Sequence, residues 1–436
     1  MGGEWKGLVQ LLVPIIIHLI AEEMTRSVLV DVTTKALCNP YSSCSQAIYI
    51  TGLQQTVVGI FRMVVVPLLG QLSDDYGRKP FLLIAVSTTI LPYILLVINQ
   101  SAGFVYAYYA LRTLSNIFSS HGNLFCLSFA YAADVIDESN RFAVFSWMTG
   151  LFSASHVLGD ALARVLPEGI IFQVSLGLLI FVPVYMALFL VETLKQTSGA
   201  NQSFPQMNKA KRILWERYDS MRSAARIVLS SPTLKCVILI SFFFKLGVSG
   251  IDAVLLYYLK AAFGFDKNQL SEVLMVVGIG SIISQMVVLP VINPFVGEKL
   301  IFFVSLLSSL AYALLYGFAW APWVAYLSAS FGVVFVLITP ATYAVISRAT
   351  SPSDQGKVLG FAAGVRAMAY FLSPLAMTPL TTLFLSENAP FNCKGFSILC
   401  ASLCFAISLC CVCTLPTQTL PNKASENDTI EAPLLY

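Results

Sequence analysis

Charged side chains that lie inside long apolar stretches are the residues of this sequence most able to do chemistry. A charge at the centre of a bilayer costs roughly 2.5 to 3.5 kcal/mol even on the mildest scales, so such a residue is a candidate functional group by default. Carboxylates, histidines and basic groups in that setting bind ionic solutes or exchange protons. The candidates are Glu22, Glu23, Arg26, Arg112, His156, Asp160, Lys245, Asp252 and Arg366.

The first apolar stretch holds two adjacent carboxylates and an arginine. Glu22 and Arg26 are four residues apart. On one continuous helix they share a face, so we expect them to neutralise each other as a structural pair. Glu23 is then the freer carboxylate and the stronger candidate for proton exchange, although solute binding is an alternative role for it.

Two further sets of candidates are spaced as neighbours on a helix. His156 and Asp160 are four residues apart, and a histidine oriented by a carboxylate can relay protons near neutral pH. Hydrogen-bonded packing of the histidine is the alternative. Lys245 and Asp252 are seven apart and share a face. We expect Lys245 or Arg366 to meet an anionic group, on a solute or on a partner helix.

The composition fixes the class of protein that must position these residues. The 436 residues are 57% hydrophobic and 11% charged, with a mean hydropathy of +0.77, whereas soluble domains carry about 25% charged residues. Apolar runs long enough to cross a bilayer as helices recur along the chain. The sequence therefore predicts an all-α membrane protein with twelve transmembrane helices. The predicted spans are 8–30, 49–70, 81–98, 103–131, 142–164, 169–191, 234–259, 270–292, 300–317, 322–346, 356–385 and 394–414.

The distribution of basic residues predicts the orientation. Lys and Arg are concentrated in the segments that lie on the same side as the two termini, which places both termini in the cytoplasm. The apolar run that opens the chain lacks a basic leader region and a small-residue cleavage site, so we interpret it as the first span. The small net charge of +3 follows from this topology and does not indicate nucleic-acid binding.

A single long polar break divides the spans six and six. It predicts an N-terminal six-helix bundle over 1–192, a cytoplasmic basic linker over 193–233, a C-terminal six-helix bundle over 234–415 and a disordered cytoplasmic tail over 416–436. The second half of the linker alternates charged and apolar residues at helical spacing, which indicates an amphipathic helix on the membrane surface.

The segment GQLSDDYGRKP, residues 70–80, packs charges between two apolar runs. It resembles the G-x-L-[SA]-D-x-x-G-R-[KR] signature of the major facilitator superfamily, and it lies between spans 2 and 3 as in that family. The resemblance implies a cytoplasmic latch, in which Asp74 faces the start of span 11 and Arg78 pairs with an acid at the end of span 4. A generic polar turn is the alternative. The implied gating residues are Gly70, Asp74, Gly77, Arg78, Lys79, Asp134 and Arg141.

Other segments narrow the resemblance. AYAADVIDESNRFAVF, YGFAWAPW and YAVISRATSPSDQGKVLGFAAGVRA are similar to the tetracycline-resistance-like branch, and especially to the hippocampus-abundant-transcript-like proteins. In that fold spans 1 and 4 line the central cavity. The resemblance therefore implies that Arg112 faces Glu22 or Glu23 as a pair that handles protons or solute, with a structural pair between helices as the alternative. Span 5 has Gly159-Asp160 where the antiporter pattern has Gly-Pro, which argues against simple drug efflux.

These observations predict a secondary transporter that moves a small organic solute by alternating access, coupled to protons. A non-coupled facilitative carrier and a transport-inactive receptor or scaffold are the alternatives. We expect no enzyme activity, because no nucleotide loop or nucleophile motif occurs, and no cofactor or metal. The expected partners are the solute, protons and the lipid bilayer, for a monomer in the plasma membrane or a vacuolar or endosomal membrane. Cys38 and Cys44 form a disulfide or remain two thiols in one outer loop.

Overall fold

The structure is a computed structural model that describes residues 2–38, 45–119, 121–137, 141–193, 207–288, 297–386 and 389–415. All regular secondary structure in these ranges is helical. The helices are α1 Gly2–Glu23, α2 Arg26–Leu37, α3 Ser45–Tyr76, α4 Arg78–Thr88, α5 Ile90–Ile98, α6 Ala102–Ser119, α7 His121–Val135, α8 Arg141–Val165, α9 Glu168–Phe189, α10 Met207–Ser230, α11 Pro232–Phe263, α12 Lys267–Ile283 with a π-helical turn Ser284–Val288, α13 Glu298–Gly317, α14 Pro322–Phe335, α15 Ile338–Ala349, α16 Pro352–Leu385 and α17 Phe396–Cys413.

Each of the twelve predicted spans overlaps one helix or two consecutive helices. Nine helical stretches among the described residues are long and apolar enough to cross a membrane by length and composition. The predicted spans 49–70, 103–131 and 142–164 fall on α3, on α6 with α7 and on α8, which are outside that group of nine. The count of twelve spans therefore stays a prediction. The nine stretches are Trp5–Leu37, Arg78–Ile98, Glu168–Phe189, Pro232–Phe263, Lys267–Val288, Lys299–Gly317, Pro322–Ala349, Asp354–Leu385 and Phe396–Cys413.

The buried apolar residues divide at the linker. Two clusters are built from α1 to α9, and a third is built almost entirely from α11 to α17. The linker helix α10 packs one face against the second group, where Ala224 and Val228 are buried, while Trp215 and Tyr218 are exposed. The predicted amphipathic helix therefore exists, and the apolar cores of the described helices before and after it are largely separate. We refer to these two groups of helices as the first and second bundle.

The first membrane helix is broken beside its two glutamates. Helix α1 ends at Glu23 and α2 begins at Arg26, and the Thr25 hydroxyl donates to the Glu22 carbonyl oxygen at 2.8 Å. The same hydroxyl lies 3.1 Å from the hydroxyl of Tyr93 on α5. The predicted pair between Glu22 and Arg26 is wrong. Arg26 bonds to Glu23 instead, and Glu22 pairs with Arg112.

Helix α8 packs very closely against this break. A Cβ added at Gly159 would lie 2.7 Å from the Cβ of Glu23 and 3.1 Å from the carbonyl oxygen of Ile20, so the approach requires a glycine. This contact places the α8 residues His156 and Asp160 next to the carboxylates of α1.

The junction between α3 and α4 also depends on a glycine. Gly77 has φ +98°, which L side chains rarely adopt, and Arg78 starts α4 directly after it. Glu192, which follows α9, accepts the backbone N–H groups of Arg78 at 3.0 Å and of Lys79 at 3.2 Å. A carboxylate at this position satisfies amides that have no partner within the helix and complements the helix dipole.

Replacing Gly77 with alanine is expected to destabilise the protein by about 1 to 3 kcal/mol, because the backbone is strained and the new Cβ would lie 2.5 Å from Glu192 Oε2. The measurement is thermal unfolding of the purified protein in detergent. Gly177→Ala is the matched control, since Gly177 lies within α9 and a Cβ there would meet nothing. Equal melting of the Gly77→Ala and wild-type proteins would contradict this account of the junction.

Candidate functional site

Glu22 forms a buried ion pair inside the first bundle. Its Oε1 lies 2.7 Å from Arg112 Nη1 on α6 and 3.8 Å from His18 Nε2 on the preceding turn of α1. All three side chains are buried, and the Arg112 guanidinium also lies over the Tyr93 ring at 5.4 Å. Of the two carboxylates predicted to face Arg112, the structure brings Glu22 to it.

Glu23 joins a second group at the helix break. Its Oε1 lies 3.0 Å from Arg26 Nη1, and its Oε2 lies 3.0 Å from His156 Nδ1 on α8. The predicted orientation of His156 by Asp160 is therefore wrong, because the close approach at Gly159 brings Glu23 to the imidazole instead. Glu23 is bonded on both sides and is not the unpaired carboxylate that the spacing suggested.

Asp160 and Asp252 surround the same arginine from the two bundles. Asp160 is only 3% exposed, and its Oδ1 has no hydrogen-bond partner among the described residues. It lies within electrostatic range of Glu23 and Arg26. Asp252 on α11 also lies within range of Arg26. The charged cluster of the first bundle therefore extends to the boundary with the second.

A cavity of about 430 Å³ lies between the bundles near α10. Three basic side chains line it, one each from α3, α11 and α16, together with two tyrosines. The predicted candidates Lys245 and Arg366 are therefore brought together with a further cation, Arg62. The lining residues are Arg62, Met63, Gly122, Met221, Lys245, Tyr343, Gly360, Ala363, Gly364, Arg366, Ala367 and Tyr370.

Ionic contacts between the bundles lie at the ends of the helices away from α10. Lys260 of α11 pairs with the buried Asp31 of α2, and Arg164 Nη2 of α8 lies 2.8 Å from Glu272 Oε1 of α12. The ammonium of Lys267 donates to the carbonyl oxygen of Ala163 at 3.3 Å, within the last turn of α8, where a cation is favoured by the helix dipole.

Hydroxyl groups add to the same set. The Ser271 hydroxyl donates to Ser27 Oγ at 2.8 Å, and the hydroxyls of Thr51 and Tyr257 are 2.9 Å apart. The contacts Asp31–Lys260, Arg164–Glu272, Lys267–Ala163, Ser27–Ser271 and Thr51–Tyr257 are named the closed-face contacts. Sequence reasoning missed them as pairs. For the ion pairs, the available sequence signal was an isolated charged residue near the end of a predicted span. The hydroxyl contacts had no such signal.

The motif at 70–80 lies at the other ends of the helices. Arg78 Nε donates to Asp134 Oδ2 at 3.1 Å, and Lys79 Nζ donates to the Ala187 carbonyl oxygen at 3.0 Å. The implied partner of Arg78 is therefore in place. The structure does not describe the surroundings of Gly70 or the side chains of Asp74 and Arg141. The implied contact of Asp74 with span 11 therefore lies outside the described residues.

Glu192 is the functional contact of the motif that sequence reasoning missed. The available sequence signal was an isolated acid directly after the predicted span 169–191, on the membrane side predicted for the basic residues of the motif. At the start of α16, Asp354 pairs with Lys357 at 2.9 Å.

Of the two cysteines predicted to form a disulfide or to remain free, the structure describes only Cys38. Cys38 is disulfide-bonded, and Cys44 lies outside the described residues. In the part of the chain that the structure describes, no group of three His, Cys, Asp or Glu side chains could hold a metal ion.

Comparisons with known proteins agree on one family. The Major Facilitator Superfamily profile matches residues 12–374. Hippocampus abundant transcript-like protein 1 of Homo sapiens is 28% identical over 347 residues, which cover 78% of this chain and 66% of that protein. Tetracycline resistance protein, class H, of Pasteurella multocida is 22% identical over 327 residues, covering 74% of this chain and 77% of that protein. The matched part spans slightly less than two thirds of the hippocampus-abundant-transcript relatives.

The fold is also similar to solved transporters. The crystal structure of the human organic anion transporter MFSD10 (TETRAN) matches with a TM-score of 0.64 and 19% identity, covering 94% of this chain and 99% of that one. At this identity the likeness shows the fold alone.

Removing Arg112 is expected to destabilise the protein by about 3 to 5 kcal/mol, because it leaves Glu22 with an uncompensated buried charge. Arg112→Met should therefore melt well below wild type, whereas Arg112→Met with Glu22→Met should recover most of the loss. The measurement is thermal unfolding in detergent as a double-mutant cycle. Lys35→Met, which breaks an exposed pair with Glu168, is the control and should change the stability by less than about 1 kcal/mol. A double variant as unstable as the single one would contradict the pairing.

Proposed function

Since the chain belongs to the Major Facilitator Superfamily, we propose that it is a secondary transporter that moves a small organic solute by alternating access. It is an integral membrane protein. The proposal includes twelve spans in two six-helix bundles, both termini in the cytoplasm and a monomeric state. It places the protein in the plasma membrane or in a vacuolar or endosomal membrane.

The asymmetry between the two ends of the bundles is the observation that carries the proposal. The closed-face contacts join the bundles at one end, while the cavity between them lies toward the linker helix. With the linker in the cytoplasm, the structure corresponds to an inward-facing state. In the opposite state the closed-face contacts break and the helix ends beside α10 come together.

The motif residues act as the latch of that opposite state. Arg78 is held by Asp134, and the backbone of α4 is held by Glu192, so the motif is fixed to the first bundle. We propose that Asp74 and Arg141 complete the latch against the start of α16 when the bundles close on that side. A latch of this kind favours one access state without belonging to the solute site.

Proton coupling is proposed at the group around Glu23. This carboxylate contacts Arg26 and the half-exposed His156, and it lies close to the buried Asp160 and to Asp252 of the other bundle. A proton gained or lost here changes the charge balance where the bundles meet. The Glu22–Arg112 pair lies deeper in the first bundle, and we assign it to holding α1 against α6.

The similar proteins do not indicate one solute class for this chain. One fold neighbour is named as an organic anion transporter and one relative as a tetracycline resistance protein. Fold and family do not fix substrate, so the solute class must be argued from this chain's own residues.

Transport by purified protein in proteoliposomes with an imposed pH gradient, screened over solute classes, tests the proposal. The wild type should accumulate solute in response to the gradient. Glu23→Gln should keep downhill flux and lose most of the response, because the group can no longer exchange the proton. Glu168→Gln, an exposed carboxylate near Lys35, is the control. Wild-type flux that ignores the gradient indicates a facilitative carrier, and intact protein that moves no solute indicates a receptor.

Locking the closed face should stop transport. The Oγ atoms of Ser27 and Ser271 are 2.8 Å apart, which is close enough for two cysteines at these positions to form a disulfide. Oxidised Ser27→Cys/Ser271→Cys protein should lose at least nine tenths of its flux and regain it on reduction. Cross-linking is read by mass spectrometry of the linked peptides. The variants Ser27→Cys alone and Ser271→Cys alone are controls, because each adds only one cysteine to the ten of the native chain. Full flux in cross-linked protein would rule out alternating access through this face.

A further inference from the structure

Three basic residues of the cavity have no carboxylate partner among the described residues. Arg62, Lys245 and Arg366 come from both bundles, and none of them forms an ion pair among the described residues. In contrast, Arg112 and Lys260 are each paired with an acid.

Aromatic rings hold these cations without neutralising them. Arg62 lies 5.6 Å and Lys245 5.7 Å from the centre of the Tyr370 ring, so one ring positions both groups. Arg366 lies 4.8 Å over the Tyr343 ring and donates to its hydroxyl at 2.5 Å. Cation–π contacts orient a basic group but leave its full charge and most of its N–H donors available.

The positions of the cations are built into the fold. A Cβ at Gly122 would lie 2.0 Å from Arg62 Nη2, so the guanidinium packs directly against α7 at this glycine. One guanidinium nitrogen of Arg366, Nη1, is buried and has no hydrogen-bond partner among the described residues. A buried donor without a protein partner is costly, so this nitrogen is available to a group of a ligand.

The charge of the site is not balanced by nearby acids. None of the twelve described residues that line the cavity is acidic. Asp252 lies two turns from Lys245 along α11, about 10 Å, and interacts with it electrostatically without forming an ion pair. Among the described residues, three cations and one distant acid leave the cavity positively charged, which favours a negative ligand.

We propose that this cavity binds an amphipathic organic anion. The acidic group of the ligand, a carboxylate, sulfonate or phosphate, lies between Lys245 and the guanidinium of Arg366 or Arg62, which can bind it in a bidentate manner. Its apolar or aromatic part packs against Tyr343, Tyr370 and the methionines of the lining. The inference rests on the proposed function in taking this anion as the transported solute.

The remaining chemistry of the cavity excludes other solute classes. A volume of about 430 Å³ suits a compact organic molecule. A cationic solute would meet three like charges. A sugar would need many neutral hydrogen-bonding groups, whereas the uncharged polar side chains of the lining are two tyrosines.

Ligand binding to the purified protein in neutral detergent tests this inference without requiring transport. The probes are three aromatic anions, namely hippurate, 4-toluenesulfonate and phenyl phosphate, with methyl hippurate as the neutral analogue and tetraethylammonium as the cation. Isothermal titration gives the Kd, and the thermal midpoint gives an independent readout. We expect at least one anion to bind, and methyl hippurate and tetraethylammonium to bind at least tenfold more weakly.

Charge-removal variants assign the binding to the cavity. Lys245→Gln and Arg366→Gln should each raise the Kd of the bound anion roughly 10- to 100-fold, the loss of one charge-assisted hydrogen bond. Lys245→Arg should retain most of the affinity and guards against misfolding of the glutamine variant. Lys35→Gln, an exposed basic residue outside the cavity, should leave the Kd unchanged. Asp252→Asn should bind the anion at least as tightly as wild type, because it removes a negative charge near Lys245.

Uptake of the same probes into neutral phosphatidylcholine vesicles separates the two proposals. Anion binding without uptake supports the site and contradicts the transporter. Failure of all three anions to bind, equal binding of methyl hippurate, or an unchanged Kd in both glutamine variants overturns the anion site. Loss of anion binding when phosphatidylglycerol is added would assign the cavity to a lipid headgroup and would also overturn it.

Discussion

The cost of an unneutralised charge among apolar helices determines how this protein is arranged. Where two bundles of apolar helices meet, a charge is stable only with a partner or with access to water. Glu22 meets Arg112 inside one bundle, and Asp31 meets Lys260 across both. The pairs inside a bundle fix helices to each other, and the pairs between bundles fix one arrangement of the whole. In the cationic cavity, by contrast, the described residues provide no carboxylate partner for Arg62, Lys245 or Arg366.

The parts of the fold that sequence predicts well are those that need no knowledge of packing. Apolar runs of membrane length locate the helices because a span must satisfy its own backbone in lipid. The amphipathic helix in the linker and the partner of Arg78 at Asp134 could also be anticipated, the first from periodicity and the second from a motif whose position in the chain is specific. The number of spans and the side of the termini remain predictions.

The pairing of charges could not be read from spacing, because it depends on breaks and contacts set by other helices. The four-residue spacing of Glu22 and Arg26 assumes a continuous helix, yet the chain turns at Thr25, whose hydroxyl meets Tyr93. The spacing of His156 and Asp160 was equally misleading, since the close packing at Gly159 brings a different carboxylate, that of Glu23, to the imidazole. The position of Arg62 beside Lys245 and Arg366 depends on the packing of α3, α11 and α16 around one cavity, which spacing in the sequence does not reveal.

The burial of each ion pair agrees with whether the proposed transport cycle requires that pair to open. The closed-face pair of Arg164 and Glu272 is largely exposed, so breaking it transfers charges to water at little cost. The partner of Lys260, Asp31, is buried, so that pair separates only as the face opens and water reaches the carboxylate. The pair between Glu22 and Arg112 is buried within one bundle, where separation would cost several kcal/mol, and rigid-body rocking does not require it to open. A bound anion would attract Lys245 and Arg366, which belong to the second bundle, and also Arg62, which belongs to the first. Attraction to the anion would then draw the bundles together on the linker side, so the same charge rule that holds one face shut would favour closing the other when solute is present.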